Sequence, residues 1–173
     1  MKQKSDQDVR YCEAAEAYGP AMQRLARATE VNPERRRDLL QDMHVELWRS
    51  FAAYDGRCSV KTWVYRVSHN VAASHVGREL RRNTGRVTLE DIDAMPDARS
   101  LAVELEESDA LERLNTWIRR LRPPDRQILT LYLEDLAATE IAEITGLSPG
   151  AIATRISRLK SRLTQDFKET ANV

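Results

Sequence analysis

The stretch Ala138–Leu163, ATEIAEITGLSPGAIATRISRLKSRL, reads as two helices joined by a tight turn. Gly146 closes the first, because glycine takes the left-handed backbone of a sharp helix exit without a Cβ clash, and Leu147 plugs the space between the helices. Ser148 and Pro149 supply an N-cap and a first-turn proline, so the second helix must begin there. Its apolar residues Ile152, Ile156, Leu159 and Leu163 fall on one stripe. At roughly 100° per residue the opposite side carries Ala153, Thr154, Ser157, Arg158 and Ser161, with Arg155, Lys160 and Arg162 flanking. Small side chains let a helix lie deep in a DNA major groove, hydroxyls and arginine can bond base edges, and flanking cations neutralise phosphates. The candidate duplex-reading residues are therefore Ala153, Thr154, Arg155, Ser157, Arg158 and Arg162. An amphipathic hairpin with a merely solvated basic face is the plainer reading; against it stands the coincidence of Gly146, Ser148-Pro149 and the stripe.

Outward from this motif, the composition favours an all-α chain of two small helical domains. With 173 residues, 42% hydrophobic and 6% aromatic content, six glycines and six prolines, the chain lacks the turn residues of a sandwich or barrel, and its apolar share is low for one large core. Helical spacing extends upstream through Leu105, Leu111, Leu114, Trp117, Ile118 and Leu121, and Arg122-Pro123-Pro124-Asp125 forces a restart into Ile128, Leu129, Tyr132 and Leu133. Before that lies a first unit of three or four helices. Tyr11 to Thr29 is helical but must kink or restart at Gly19-Pro20. Asn32-Pro33 caps and opens a helix through Leu39, Met43 and Leu47, which Asp55-Gly56 ends. A last helix carries Val60, Val64, Val67 and Val71 on one stripe. The expected division is a first domain over 1–82, a flexible acidic linker over 83–104, and a second domain with the helix-turn-helix over 105–173.

Net charge is zero, but the charge is segregated. Lys61 to Arg86 holds six cations against Glu79 alone, whereas Val87 to Glu112 holds nine carboxylates against Arg99 alone. Basic blocks flanking an acidic connector suit a nucleic-acid partner better than the average suggests. Cys12 and Cys58 stand far apart without a CxxC or HExxH, so no disulfide framework, metal site or cofactor is expected. No apolar run of spanning length occurs, and Met1 to Arg10 lacks the core of a secretion signal, so a cytoplasmic protein with no membrane insertion is expected.

The first unit carries Asp38-Leu39-Leu40-Gln41-Asp42-Met43, Leu47-Trp48, Tyr54-Asp55 and Lys61-Thr62-Trp63-Val64-Tyr65-Arg66-Val67-Ser68-His69-Asn70-Val71-Ala72. These closely resemble the second conserved region of extracytoplasmic-function (ECF) sigma factors of the sigma-70 family. Leu121-Arg122-Pro123 through Leu163 resembles their fourth. Two motifs in the family's order are more specific than either alone.

The resemblance implies a non-enzymatic factor that directs core RNA polymerase to promoters. It implies polymerase docking by the helix of Asp38, Gln41, Asp42, Val45 and Arg49, where an apolar Val45 among charges suits an interface centre with a polar rim; a solvated face with one stray valine is the alternative. It implies recognition and melting of the downstream (minus-ten) element by Lys61, Trp63, Arg66, His69 and Asn70, with the loop from Gly56 to Lys61 helping to line a base pocket around Asn70. Capturing unstacked bases calls for aromatic faces, an amide and phosphate-holding cations, further ones being Arg78, Arg81 and Arg82. Trp63 has a rival role in the core, since an aromatic beside a valine stripe is more often buried there. His44 and His75 read as surface or core histidines, and His69 as that or a phosphate contact. The recognition helix would read the upstream (minus-thirty-five) element, the acidic connector would thread an RNA path or serve as a tether, and an anti-sigma factor would be a further partner. Departures from the family are Ala137-Ala138, where a serine cap is usual, His44, and Ala73, Ser74 and Gly77.

Two other classes fit parts of this pattern. A conventional dimeric regulator would use the same helix-turn-helix on a palindrome without polymerase, and a helical adaptor would match the zero net charge. An enzyme fits least, because no nucleophile-base pair, metal cluster or phosphate loop is present.

Overall fold

A computed structural model of the chain describes residues 6–84 and 106–171. Among these the structure is all-α: α1 (Asp6–Thr29), α2 (Pro33–Ser50), a 3-10 turn (Phe51–Ala53), α3 (Val60–Thr84), α4 (Glu106–Arg119), α5 (Pro123–Leu133), α6 (Ala138–Thr145) and α7 (Pro149–Ala171). Of the linker expected over 83–104, positions 83 and 84 belong to α3, which continues to Thr84, and the rest lies outside the described residues, as does Leu105.

Helices α1, α2 and α3 form the first bundle. Asn32 opens α2 as the sequence requires: its side-chain oxygen accepts from the amides of Glu34 at 2.9 Å and Arg35 at 3.0 Å, and Pro33 fills the first helical position. The apolar face of α2 brings Leu39, Met43 and Leu47 to full burial against Met22, Leu25, Ala26 and Val64. Burial of each such side chain contributes about 1.5–3 kcal/mol. One expectation is corrected: α1 runs through Gly19 and Pro20 as a single helix. Pro20 and Glu16 both lie on the exposed side, where water can replace the amide that the Glu16 carbonyl loses.

The second bundle is built by α4 to α7, with Ile128, Leu131, Leu136, Ile141 and Ile152 at its centre and Trp117, Ile118, Leu121, Leu129 and Leu159 beside them. Trp117 donates its indole N–H to Asp166 at 2.6 Å, which meets the polar need of a buried indole. Leu111, expected on the apolar face of α4, is instead 62% exposed. The burying stripe of that helix is narrower than its leucines suggest, and Trp117 and Ile118 carry it.

The two bundles are packed against each other. Ala21 of α1 and Tyr65 of α3 belong to the apolar cluster around Ile128 and Ile141, and Ala28 belongs to the one around Trp117.

Candidate nucleic-acid interface

The helix-turn-helix forms through the local signals in its sequence. Gly146 ends α6 at φ 75°, and the Ser148 hydroxyl accepts from the amide of Ala151 at 3.3 Å to cap α7. Ala137, at the start of α6, has no side chain that can cap. Glu140 supplies the missing half by accepting from the Ala137 amide at 2.8 Å, and this bond holds its carboxyl below the usual range.

Ile152, Ile156 and Leu159 of α7 are buried, so the opposite face is fixed outward. Ala153, Thr154, Ser157, Arg158 and Arg162 are all exposed there. The Thr154 hydroxyl donates to the Gly150 carbonyl at 2.9 Å, which leaves its lone pairs free for a donor on a base. Arg155 differs from the other candidates. Its guanidinium is drawn back to Asp125 of α5 at 3.0 Å, and its side chain is only partly exposed. Lys160 lies over the Tyr132 ring at 5.8 Å.

The candidate downstream-element residues are divided around α3. Asn70 is exposed on the side facing α2. Trp63 packs against the first core and donates to the Ser50 hydroxyl at 2.9 Å, with its ring 5.3 Å from that of Tyr54. Tyr54 in turn donates to the Cys58 carbonyl at 2.6 Å and closes the loop that contains Gly56, at φ 78°. Lys61 and Arg66 point toward α6: Lys61 meets the Glu140 carboxylate at 3.1 Å, and Arg66 donates to the Glu143 carbonyl at 2.9 Å.

Of the two readings of His69, its burial favours the core one. It is 5% exposed, between the bundles, and burial depresses its pKa to about 3. A neutral, enclosed imidazole offers no charge to a phosphate in this arrangement.

The candidate polymerase-binding residues lie along the outer side of α2. Asp38, Gln41, Asp42, Val45 and Arg49 are all exposed, Val45 at 39%. Asp42, Val45 and Arg49 line one groove with Asn70, Ser74 and Arg78 of α3, and Arg78 pairs with Asp42 at 3.3 Å. The groove thus brings candidate polymerase-binding residues of α2 together with Asn70, a candidate for the downstream element. Toward α1, Trp48 is 41% exposed, its indole N–H on Asp8 at 2.9 Å.

Three groups that sequence reasoning missed are Arg24, Glu134 and Glu140. Arg24 clasps Glu134 with two bonds of 2.6 Å, across 110 residues of sequence. No local signal could mark them, since each reads as an ordinary surface charge until the bundles meet. Among the described residues no group of three or more His, Cys, Asp or Glu is placed to hold a metal, and no helix is long and apolar enough to cross a membrane.

Residues 14–82 match the family model for Sigma-70 region 2, and residues 111–163 match that for Sigma-70, region 4, so the two matches span most of the chain. The ECF RNA polymerase sigma factor SigW of Bacillus subtilis (strain 168) is 22% identical, over 96% of this chain and 92% of its own. The ECF RNA polymerase sigma-E factor of Haemophilus influenzae is 28% identical, over 73% of this chain and 71% of its own. Among solved structures, the sigma factor RpoE in complex with the anti-sigma factor NepR, from Bartonella quintana, is similar with a TM-score of 0.68. It covers 91% of this chain and 96% of its own at 20% identity, a likeness of fold. With both conserved regions present in order and relatives of one kind matched over most of their length, the chain belongs to the sigma-70 family, as an RNA polymerase sigma factor of the ECF type that directs core polymerase to promoters in transcription initiation.

Proposed function

We propose that the chain divides this task between its two bundles and has no catalytic chemistry of its own. The first domain, over 1–82, docks on core polymerase through Asp38, Gln41, Asp42, Val45 and Arg49 and handles the downstream element with Lys61, Trp63, Arg66 and Asn70. The second domain, over 105–173, reads the upstream duplex with Ala153, Thr154, Ser157, Arg158 and Arg162, and Arg155 contributes from the flank. The protein works in the cytoplasm, where polymerase and promoter DNA are, and an anti-sigma factor is its regulatory partner, as NepR is for the RpoE of similar fold.

The observation that carries this reading is the outward face of α7. Its small, hydroxylated and cationic residues stand exposed together while the stripe beneath them is buried. That is the geometry a helix needs to enter a major groove. Run-off transcription with core polymerase on fragmented genomic DNA tests it: discrete start sites are expected, and a transcript pattern no different from core polymerase alone rejects it.

Two substitutions test the residue assignments. Arg158→Ala is expected to weaken promoter recognition by about 1–3 kcal/mol through loss of a base contact. An equal loss on every DNA sequence, read by competition with random duplex, would remove Arg158 from the base-reading set. Val45→Asp is expected to weaken association with core polymerase about tenfold, by placing a charge at the centre of an interface whose rim is polar. Unchanged affinity in a titration of labelled factor with core enzyme would move the docking site elsewhere.

A further inference from the structure

We infer that Asp125 is a positioning residue for duplex recognition: by holding the Arg155 guanidinium at the edge of α7, it lets that cation meet a phosphate only where the helix is seated in its groove, and so keeps sequence-independent binding low. This rests on the reading of α7 as the helix that enters the upstream duplex.

The cations of α7 are not alike. Arg158 and Arg162 are exposed, with no hydrogen bond or ion pair among the described residues. Arg155 lies on the side of the helix that turns toward α5, and its Nη1 donates to Asp125 Oδ1 at 3.0 Å. A free arginine on its long stem reaches whichever phosphate is nearest, whereas a held one presents its planar fork in one direction. Asp125 takes one N–H of the guanidinium, and the remaining donors stay available to a phosphate.

The pair is set by the fold around it, not by its own attraction. Pro123 and Pro124 fix the backbone at the start of α5, and Asp125 stands in its first turn. Ile128 of α5 shares one apolar cluster with Ile152 and Ile156 of α7, and these two bracket Arg155. Core packing therefore fixes the separation of two residues that stand 30 positions apart in the sequence. The Arg155 and Asp125 side chains are 42% and 26% exposed, so DNA can reach the arginine while water screens the pair only in part.

At a distance, the carboxylate offsets the charge of Arg155, and DNA of any sequence is drawn to this edge less strongly. Close contact is different. A phosphate at the flank of the groove can share the fork with Asp125, because the guanidinium donors point in more than one direction. The contact from Arg155 thus comes with correct seating, whereas an untethered cation such as Arg162 acts on any duplex within reach.

The test uses holoenzyme assembled with the full chain, a promoter duplex found by run-off transcription, and a duplex of the same length with its upstream element scrambled. Affinity for each is read by competition in fluorescence anisotropy over a series of salt concentrations. Asp125→Asn, which keeps the shape and removes the charge, is expected to raise affinity for the scrambled duplex about fivefold, the size of one exposed charge interaction. Promoter affinity is expected to stay nearly unchanged, so discrimination falls by the same factor. Salt dependence on the scrambled duplex is expected to steepen by about one phosphate contact. In an Arg155→Ala background the same substitution is expected to do nothing, and Asp125→Glu, which keeps the charge, is expected to keep the discrimination of the unaltered chain.

Unchanged discrimination in Asp125→Asn overturns the proposal. So does an effect that persists in the Arg155→Ala background, because Asp125 would then repel DNA by itself. An equal loss of discrimination in Asp125→Asn and Asp125→Glu also overturns it, as the mark of a purely structural role at the start of α5. Failure of the underlying reading has a different signature: Arg158→Ala then leaves discrimination unchanged as well.

Discussion

Ile152→Ala is expected to destabilise the second bundle by about 2–5 kcal/mol and to abolish upstream-element recognition at temperatures where the first bundle is still folded. Ile152 is fully buried and sits with Ile128, Leu131 and Ile141, one residue before the first candidate DNA contact. Truncation removes its apolar contacts and leaves a cavity that the small bundle cannot fully close. A bundle of this size has few such residues, so one loss is a large share of its stability. The recognition face depends on it directly, because Ala153, Thr154 and Ser157 point outward only while Ile152 and Ile156 point inward. Ile152→Val, which removes one methylene, is expected to cost about 0.5–1.5 kcal/mol and to retain recognition. Urea unfolding of both variants, followed by circular dichroism, gives the stabilities. Equal stability of Ile152→Ala and the unaltered chain would show that α7 is not anchored through this stripe.

What was legible in the sequence follows from how local each cause is. The helix-turn-helix was readable because Gly146, Ser148-Pro149 and the stripe lie within one short segment, and each acts on its own backbone. Asn32-Pro33 was readable for the same reason. Gly19-Pro20 misled because proline's missing amide costs less on a solvent-facing side, and which side faces solvent is a tertiary fact. Leu111 misled because helical spacing names a face without saying how wide a stripe the neighbours will cover. Lys61 and Arg66 were visible as cations, but their carbonyl and carboxylate partners come from 77 and 79 residues away. Packing of one bundle on another leaves no periodic trace. The division of the candidate set around α3, with Asn70 on the α2 side and Lys61 and Arg66 on the α6 side, was invisible for that reason.

His69 shows the same limit most sharply, and it carries the second large effect: the packed arrangement is expected to lose stability as pH falls below about 6.5. The imidazole is buried between the bundles with no hydrogen bond to it among the described residues, and burial lowers its pKa from 6.5 to about 3. Its surroundings offer no compensating anion at bonding distance. Arg24, Arg27, Arg36, Arg126, Glu112 and Glu134 line the two cavities it borders, and the two carboxylates are already held, Glu134 by Arg24 and Glu112 by Arg119. In the unfolded chain, or with the bundles apart, the ring is free to take a proton near its ordinary value. A group whose pKa is depressed by folding contributes its stability in full above the unfolded value and loses it as pH falls toward the folded one, so the window runs from about 6.5 down to about 3. Within it the slope is about 1.4 kcal/mol per pH unit, or roughly 2 kcal/mol between pH 6.5 and 5. Carboxylates held low in the folded chain, such as Glu30 beside His75, add their loss only below about 4.5, and His44, whose pKa partial burial also lowers, adds a share of the loss in the upper part of the window. Urea unfolding at a series of pH values from 7.5 to 5 should show this slope, and His69→Gln, which cannot titrate, should remove the larger part of it, with His44→Gln removing the remainder. A slope unchanged in His69→Gln would assign the proton to another group and leave the buried imidazole without thermodynamic consequence.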